Sequence, residues 1–153
     1  MSLRTALHQH LPRAWLRRGL TAWLLRPLSW LYGALVTLRG LAYRLGLAPS
    51  QRLPALVIVV GNVVAGGAGK TPTTIALVRH LQQRGLRVGV ISRGHGRATQ
   101  DTRAVDADSL PHEVGDEPLL IHQATDAPVW VAAARTEAGL ALLHAHPEVQ
   151  VLV

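Results

Sequence analysis

Six consecutive residues, GGAGKT from Gly66 to Thr71, have the types and the order that suit phosphate binding. Glycines let successive backbone N–H groups point into one concavity, and they let the chain approach phosphate oxygens closely. A lysine such as Lys70 supplies a point charge to the outer phosphates, and the hydroxyl of Thr71 can hold Mg²⁺. The segment therefore predicts a P-loop that binds a nucleotide. The residues of this predicted nucleotide loop are Val64, Ala65, Gly66, Gly67, Ala68, Gly69, Lys70 and Thr71.

The motif departs from its full consensus at one position and has one compositional feature in its favour. The consensus G-x-x-x-x-G-K-[ST] has a glycine where this chain has Val64, which weakens the match but leaves the three glycines nearest the lysine. Lys70 is the single lysine among sixteen basic residues, which is consistent with a need for a compact ammonium group there. The alternative is a glycine-rich turn that carries an ordinary surface lysine.

The residues on either side of this loop predict the elements that position it. An apolar, β-branched run from Leu56 to Val60 predicts a buried strand before the loop. From Thr71 onward the chain predicts a helix, and Pro72 suits its first turn because no backbone donor is needed there. Gly85 predicts the end of that helix. The apolar residues at helical spacing are Ile75, Leu77, Val78 and Leu81.

A second glycine-rich loop follows the next predicted strand, Arg87 to Ile91. This loop runs from Ser92 to Arg97 (SRGHGR) and contains two glycines and two arginines. Ligands of open α/β sheets bind at the carboxyl ends of the strands, so the loop with Arg93 has the composition of an anion-receiving loop. The alternative is a solvated turn with no special function.

Asp116 and Glu117 are adjacent carboxylates just before a predicted short helix, Leu119 to Ala124. One interpretation is that they only complement the positive end of that helix. The other is that Asp116 is a general base for a hydroxyl group and Glu117 a metal ligand or the neighbour of one, as phosphoryl transfer requires. The residues themselves leave both interpretations open. The polar stretch before them, Ala98 to Pro111, is expected to be a surface excursion.

The remaining elements complete an alternating order. Strands are predicted at Pro128 to Ala132 and at Val149 to Val153, with a helix at Arg135 to His144 between them. This alternation predicts an α/β fold with a P-loop NTPase-like parallel sheet flanked by helices. The histidines show no metal-ligand spacing, and the absence of cysteine excludes disulfides and thiolate chemistry.

Charge is distributed unevenly along the 153 residues. Residues 1–100 contain fourteen basic and no acidic residues, whereas residues 101–153 contain two basic and nine acidic ones, so the two parts carry formal charges of +14 and −7. A basic N-terminal part suggests a polyanionic partner such as nucleic acid, anionic lipid or a phosphorylated substrate. The N-terminal arginines alternate with leucine and tryptophan and match no nucleic-acid-binding module, which argues against nucleic acid.

Residues 1–52 are predicted to form a basic arm rich in leucine and tryptophan, and residues 53–153 a nucleotide-binding domain. Only twelve uncharged residues lie between Arg26 and Arg39, whereas a helix needs about 20 apolar residues to cross a bilayer. We therefore predict an amphipathic helix at the membrane interface, with its arginines at the level of the headgroups. The alternatives are an ordinary core helix and a cleavable signal peptide.

Taken together, these segments resemble the tetraacyldisaccharide 4'-kinase family of lipid A biosynthesis. The P-loop alone is generic, but its order with the segments that follow it is specific. Behind the basic arm, the matching segments are VGNVVAGGAGKTP (Val60 to Pro72), RVGVISRGHGR (Arg87 to Arg97), EVGDEPLLI (Glu113 to Ile121) and HPEVQVLV (His146 to Val153).

The resemblance implies a kinase that uses ATP and Mg²⁺ to phosphorylate the 4'-hydroxyl of tetraacyldisaccharide 1-phosphate, which gives lipid IVA. It implies that Lys70 and the glycines cradle the triphosphate, and that Thr71 and Glu117 lie on the metal side. It further implies that Asp116 is the base for the sugar hydroxyl and that Arg93 contacts a ligand phosphate. The basic arm would then dock the enzyme, as a peripheral or monotopic protein, on anionic lipid at the cytoplasmic face of the inner membrane.

The chain departs from the family pattern at two places. His95 stands where the family usually has tyrosine, and the Asp-Asp-Gly segment and second lobe that follow the last strand in family members are absent from the sequence. The resemblance is therefore to the N-terminal portion of the family. Two alternatives remain: a membrane-recruited P-loop ATPase or GTPase switch, and a truncated, non-catalytic ATP-binding fragment whose C-terminal strand lacks neighbours.

Overall fold

The computed structural model describes residues 23, 25–48, 50–61 and 69–153. Residues 64–68 of the predicted nucleotide loop lie outside this part of the chain, as do residues 1–22 of the predicted arm. The chain divides into two compact units, Met1–Ser50 and Gln51–Val153.

The described part of the first unit contains a long helix, α1 (Arg26–Arg44). Pro27 lies in its first turn, where a missing backbone donor is tolerated, and Gly46 follows its end with a left-handed φ of +73°. No residue of α1 is buried, and Trp30 and Tyr32 are 73% and 69% exposed. Among the described residues, no helix has both the length and the apolar character that crossing a membrane requires.

The second unit is a five-stranded sheet with helices packed on it. The strands follow the order β1-β5-β2-β4-β3 across the sheet. β3 pairs with β4 antiparallel and the other pairs are parallel, which confirms the predicted α/β class as a mixed sheet dominated by parallel pairs. Its elements are β1 (Leu56–Val57), α2 (Lys70–Gln83), β2 (Val88–Ser92), β3 (Arg103–Val105), α3 (Pro111–Val114), α4 (Asp116–Thr125), β4 (Val129–Val131), α5 (Arg135–Ala145) and β5 (Val151–Leu152).

The bounds of most elements agree with the sequence patterns to within a few residues. The predicted strand from Arg87 is β2, displaced by one residue, and the predicted helix from Arg135 is α5. α4 begins at Asp116, three residues earlier than predicted, so that both carboxylates lie in its first turn. Acidic residues in a first turn are favoured by the helix dipole, which explains the earlier start.

The stretch from Ala98 to Pro111, expected to be a surface excursion, contributes β3 to the sheet. Arg103–Val105 pairs antiparallel with β4, and Val105 is 3% exposed. Three residues are too few to reveal an alternating pattern, and the strand is specified by its pairing partner more than by its own composition. The expectation of an excursion is therefore wrong for the residues of β3.

Two expectations about β1 and β5 are also wrong. β5 lies between β1 and β2, so the C-terminal strand has a partner on each side. β1 is instead an edge strand, and the run from Leu56 to Val60, expected to be buried, has Leu56 64% and Val59 86% exposed. Composition predicts that this run is extended, whereas its burial depends on the strand order, which local sequence does not specify.

Side chains alternate between the two faces of the sheet, and each face packs against helices. On one face, Val90 of β2 belongs to the same buried cluster as Val78 of α2. On the other face, Leu142 of α5 packs with Leu152 of β5. A Cβ at Gly89 would lie 2.7 Å from a methyl carbon of Leu142, so this glycine allows α5 to approach the sheet closely. Packing on both faces holds the strand ends in fixed positions.

Candidate functional site

The carboxyl ends of β1, β2 and β5 open onto a cavity of about 910 Å³, which Val153 lines directly after β5. Parallel strands bring their carboxyl ends to one edge of a sheet, where ligands of such folds bind. The chain after β1 and β2 contributes Gly61 and Arg93 to the lining, and the helix starts contribute Lys70 and Thr71 of α2 and Arg135 of α5. The structure therefore brings Arg93 together with the described members of the predicted nucleotide loop.

Lys70 and Thr71 are the first two residues of α2, and Gly69 precedes them with a φ of +72°. A residue with a side chain is disfavoured in this left-handed conformation, so Gly69 permits the turn into the helix. The hydroxyl of Thr73 donates to the Gly69 carbonyl oxygen at 2.8 Å, which fixes the helix start. A helix N-terminus carries partial positive charge and unpaired N–H groups, and Lys70 adds a full charge to it. This arrangement suits an anion such as a chain of phosphates.

Thr71 and Glu117 are distant in sequence and in direct contact in the fold. The Thr71 hydroxyl donates to Glu117 Oε1 at 3.1 Å. The contact forms because α2 and α4 lie side by side, with Arg79 of α2 donating to the Ala124 carbonyl oxygen of α4 at 2.7 Å toward their other ends. A hydroxyl and a carboxylate are the oxygen ligands that Mg²⁺ prefers, so the pair fits this ion. Within the described part of the chain, no three His, Asp or Glu side chains gather as a metal site, either at this pair or at any other place.

Asp116 lies next to Glu117 and does not line the cavity. It is exposed at the start of α4, and its Oδ1 accepts a hydrogen bond from the Glu117 N–H at 3.0 Å. A carboxylate in the first turn is stabilised by the helix dipole, and this accounts for the position of Asp116. Its role as a general base stays a prediction.

The loop that carries Arg93 and the turn that carries Asp116 are in backbone contact through two glycines. Gly94 and Gly115 have φ values of +63° and +92°. A Cβ built on Gly115 would lie 3.1 Å from the Cα of Gly94, which is closer than side-chain atoms ordinarily approach. Two segments that are separate motifs in the sequence are therefore packed directly against each other in the fold.

Several residues that line the cavity were not predicted as site residues from the sequence. Arg135 lines the cavity, as do the nearly buried Thr74 and the exposed His95. A signal for Arg135 exists, because it follows β4 much as Arg93 follows β2 and the rule about strand ends applies to both. Thr74 carries no such signal, since a threonine one turn into a helix is ordinary.

A cluster of charges flanks the loop after β2. Hydrogen bonds from the Thr99 side chain and then from the Arg103 guanidinium lower the pKa of Asp101 to about 2. Arg103 Nε lies 2.7 Å from Asp101 Oδ2, and Arg97 Nη1 lies 3.8 Å from Oδ1. The lowered pKa keeps the Asp101 carboxylate ionised between the two arginines at all but strongly acidic pH.

Relatives of known name match this chain over most of its length. A family model described as tetraacyldisaccharide-1-P 4'-kinase matches residues 21–153. The tetraacyldisaccharide 4'-kinase of Acidovorax sp. (strain JS42) is 61% identical over 147 residues, which are 96% of this chain and 44% of the relative. The tetraacyldisaccharide 4'-kinase of Herminiimonas arsenicoxydans is 52% identical over 150 residues, covering 98% of this chain and 42% of the relative.

A solved structure also matches. LpxK from Aquifex aeolicus, crystallised in complex with ATP, superposes with a TM-score of 0.70 at 33% identity. The match covers 84% of this chain and 42% of that one, so the chain spans less than half the length of these relatives. Because the family model covers all but the first twenty residues, the chain belongs to the tetraacyldisaccharide-1-P 4'-kinase family.

Proposed function

We propose that this chain is the nucleotide-binding part of a kinase that transfers the γ-phosphate of ATP to the 4'-hydroxyl of tetraacyldisaccharide 1-phosphate, which gives lipid IVA. The observation that carries the proposal is the 3.1 Å hydrogen bond from Thr71 to Glu117, which joins the P-loop helix to the paired carboxylates beside one cavity. Membership of the kinase family and the ATP complex of the Aquifex aeolicus relative support it.

The start of α2 binds the triphosphate in this proposal. Lys70 and the helix N-terminus neutralise the β- and γ-phosphate oxygens, and the glycines of the loop before them approach the phosphates closely. Thr71 and Glu117 would hold Mg²⁺, and the ion, when bound, neutralises charge that develops on the transferred phosphoryl group. The cavity volume of about 910 Å³ is within the range of small-molecule sites, so it suits a nucleotide.

Asp116 is the proposed general base. As the 4'-hydroxyl oxygen bonds to the γ-phosphorus, the bond from that phosphorus to the bridging oxygen of ADP breaks, and the hydroxyl proton passes to the Asp116 carboxylate. The N–H of Glu117 bonds Asp116 Oδ1 at 3.0 Å and so orients the carboxylate. Arg93 faces the same cavity and would contact a ligand phosphate, with Arg135 as a second cation.

In this proposal the arm, residues 1–52, attaches the protein to lipid, and residues 53–153 form the nucleotide domain. The exposed tryptophan and tyrosine of α1 are side chains that favour a membrane interface. The arm contains arginines and no acidic residue, which suits an anionic surface. We therefore assign the protein to the cytoplasmic face of the inner membrane as a peripheral or monotopic protein, where its lipid substrate lies.

The experiment is ATP-dependent phosphorylation of the acylated disaccharide by the protein expressed from the complete reading frame that contains these residues. Asp116→Asn is expected to lower the rate about 100-fold or more, because general-base catalysis is lost. Asp126→Asn is the matched control, since Asp126 is exposed at the other end of α4 in a left-handed conformation that asparagine also adopts.

Both alternatives predict a different result. A nucleotide switch would phosphorylate no acceptor and would bind nucleotide equally well with Asp116→Asn. A non-catalytic ATP-binding fragment would likewise transfer no phosphate. Either outcome, with Mg·ATP binding intact in the unsubstituted protein, contradicts the kinase assignment.

A further inference from the structure

Arg97 carries a buried guanidinium that the reaction outlined above does not use. Its side chain is 3% exposed, and its Nη1 and Nη2 atoms are buried without a hydrogen-bond partner among the described residues. An opposite charge is present at Asp101, with 3.8 Å between Arg97 Nη1 and Asp101 Oδ1. Burying a charge with so few partners costs free energy, so stability alone does not account for an arginine at this position.

Arg97 is the last residue of the loop that carries Arg93, and its stem packs back against Gly94 of the same loop. A Cβ at Gly94 would lie 2.8 Å from Arg97 Cδ and 2.6 Å from the Val114 carbonyl oxygen, so the loop is held tightly between these atoms. Gly94 in turn contacts Gly115, the residue that precedes the paired carboxylates. Gly94 is therefore packed between the Arg97 stem and Gly115, the residue before α4, with no room for added atoms.

A chain of ion pairs joins Arg97 to the same turn by a second route. Arg103 Nε donates to Asp101 Oδ2 at 2.7 Å, and Arg103 Nη1 lies 3.5 Å from Glu113 Oε1. Glu113 belongs to α3, which ends one residue before Gly115. Because the other members of this chain are partly exposed, each pair on its own contributes little, and Arg97 is its buried end.

We propose that Arg97 is a positioning residue for phosphoryl transfer, which fixes the spacing between the loop with Arg93 and the turn with Asp116 and Glu117. This inference rests on the proposed function of that site. Arg97 is buried and does not line the cavity, so it acts on substrate through Arg93 and the carboxylates. A displacement of about 1 Å in such groups can lower a rate about 100-fold, so the spacing matters.

Three variants test this role in the protein expressed from the complete reading frame. Arg97→Met keeps the apolar stem and removes the charge, whereas Arg97→Lys keeps the charge without the planar fork. Arg84→Met is the control, because Arg84 is exposed at the end of α2. For each we would measure kcat and KM for the acylated disaccharide phosphate, the Kd for Mg·ATP, the unfolding temperature, and amide hydrogen exchange of residues 92–97 and 113–117.

Arg97→Met is expected to lower kcat/KM for the acceptor about 10- to 100-fold and to weaken Mg·ATP binding by a smaller factor, because Glu117 shifts with the turn whereas Lys70 and Thr71 stay in place on α2. The unfolding temperature should stay the same or rise, since an apolar side chain replaces a buried charge. Hydrogen exchange should rise in both segments together. Arg97→Lys should recover part of the lost activity, and Arg84→Met should match the unsubstituted protein.

Unchanged kcat/KM in Arg97→Met would overturn the proposal. Parallel losses of activity and stability without recovery by Arg97→Lys would also overturn it, because a purely structural residue behaves that way. Hydrogen exchange separates this failure from that of the proposed function. If the unsubstituted protein phosphorylates no acceptor, the kinase assignment fails, while a joint rise in exchange still shows that Arg97 holds the two segments together. Unchanged exchange overturns the positioning role even in an active enzyme.

Discussion

α1 and the sheet unit contain similar apolar side chains with opposite exposure. Leu38 of α1 is 62% exposed, whereas Leu142 of α5 is fully buried. No residue of α1 is buried, but the sheet unit buries valines and leucines on both faces. The difference lies in the packing of each helix: α5 packs on a face of the sheet, whereas α1 buries none of its own residues. Apolar composition therefore indicates that a segment avoids water without indicating which partner it will find.

The two units therefore have different proposed roles. The sheet unit contains the buried core and the cavity with Lys70, and we propose that α1 supplies an apolar, basic surface for the membrane. Substitutions in one unit should therefore leave the property assigned to the other unit unchanged.

The largest effect is expected from Leu142→Ala. Leu142 is fully buried against Gly89 and Leu152, so truncation removes buried apolar atoms and leaves a cavity. The substitution should lower the unfolding free energy by about 4 kcal/mol. Denaturant unfolding measures the change. Leu38→Ala in α1 is the matched control and should cost less than about 1 kcal/mol; equal losses for the two variants would remove the contrast between the units.

Lys70→Ala should have the next largest effect, on the chemical step. Loss of a preorganised charge that stabilises the transferred phosphoryl group is expected to lower kcat about 100- to 1,000-fold, which is about 3 to 4 kcal/mol. Steady-state phosphorylation assays measure it, with Arg84→Ala at the far end of α2 as the control. Binding to anionic vesicles should not change, and a variant with full activity would contradict the role of Lys70.

Trp30→Ala should have a smaller effect, on membrane binding. Trp30 is 73% exposed in α1, and losing its apolar area should weaken binding to vesicles of phosphatidylethanolamine and phosphatidylglycerol about tenfold. Vesicle co-sedimentation measures the affinity. Trp130→Ala in β4 should lower stability and leave vesicle binding unchanged, because Trp130 is partly buried and packs against the cluster of Leu142 and Leu152. A large loss of stability in Trp30→Ala would show that α1 is buried in the intact protein.

The smallest effect concerns acid pH. The pKa of Asp101 is lowered from 3.8 to about 2 by the Thr99 side chain and by Arg103, so its contribution to stability is present above 3.8 and is lost as the pH falls toward 2. Unfolding temperatures of the unsubstituted protein and Asp101→Asn should therefore converge through this window. α1 contains no carboxylate, so its helical content should not respond to the same pH change. If the two unfolding temperatures still differ by the same amount at the acid end of this window, the stabilising role assigned to the Asp101 carboxylate is contradicted.

Much of the sheet unit could be predicted from local sequence. β2, α2 and α5 follow from apolar runs, periodicity and the glycine stop at Gly85, which are properties of adjacent residues. The placement of Thr71 and Glu117 on the metal side followed from a family resemblance, whereas their direct hydrogen bond is seen only in the structure.

The rest depends on which segments meet. β3 is a strand because β4 pairs with it, and β5 lies between β1 and β2. Neither position can be predicted from the residues of the strand alone. The burial of Arg97 is a further example, since an arginine in a glycine-rich loop predicts a solvated or anion-binding group. Its buried position requires the contact between Gly94 and Gly115, which joins two motifs separated in sequence.

The central claim is that the cavity beside Lys70 is the site that binds Mg·ATP. Calorimetric titration of Mg·ATP into the protein from the complete reading frame, compared with Lys70→Ala, tests it most directly. We predict saturable binding at one site, weakened about tenfold or more by the substitution, which corresponds to about 1.4 kcal/mol or more. An unsubstituted protein that binds no Mg·ATP, or a Lys70→Ala variant with undiminished affinity, would contradict the claim.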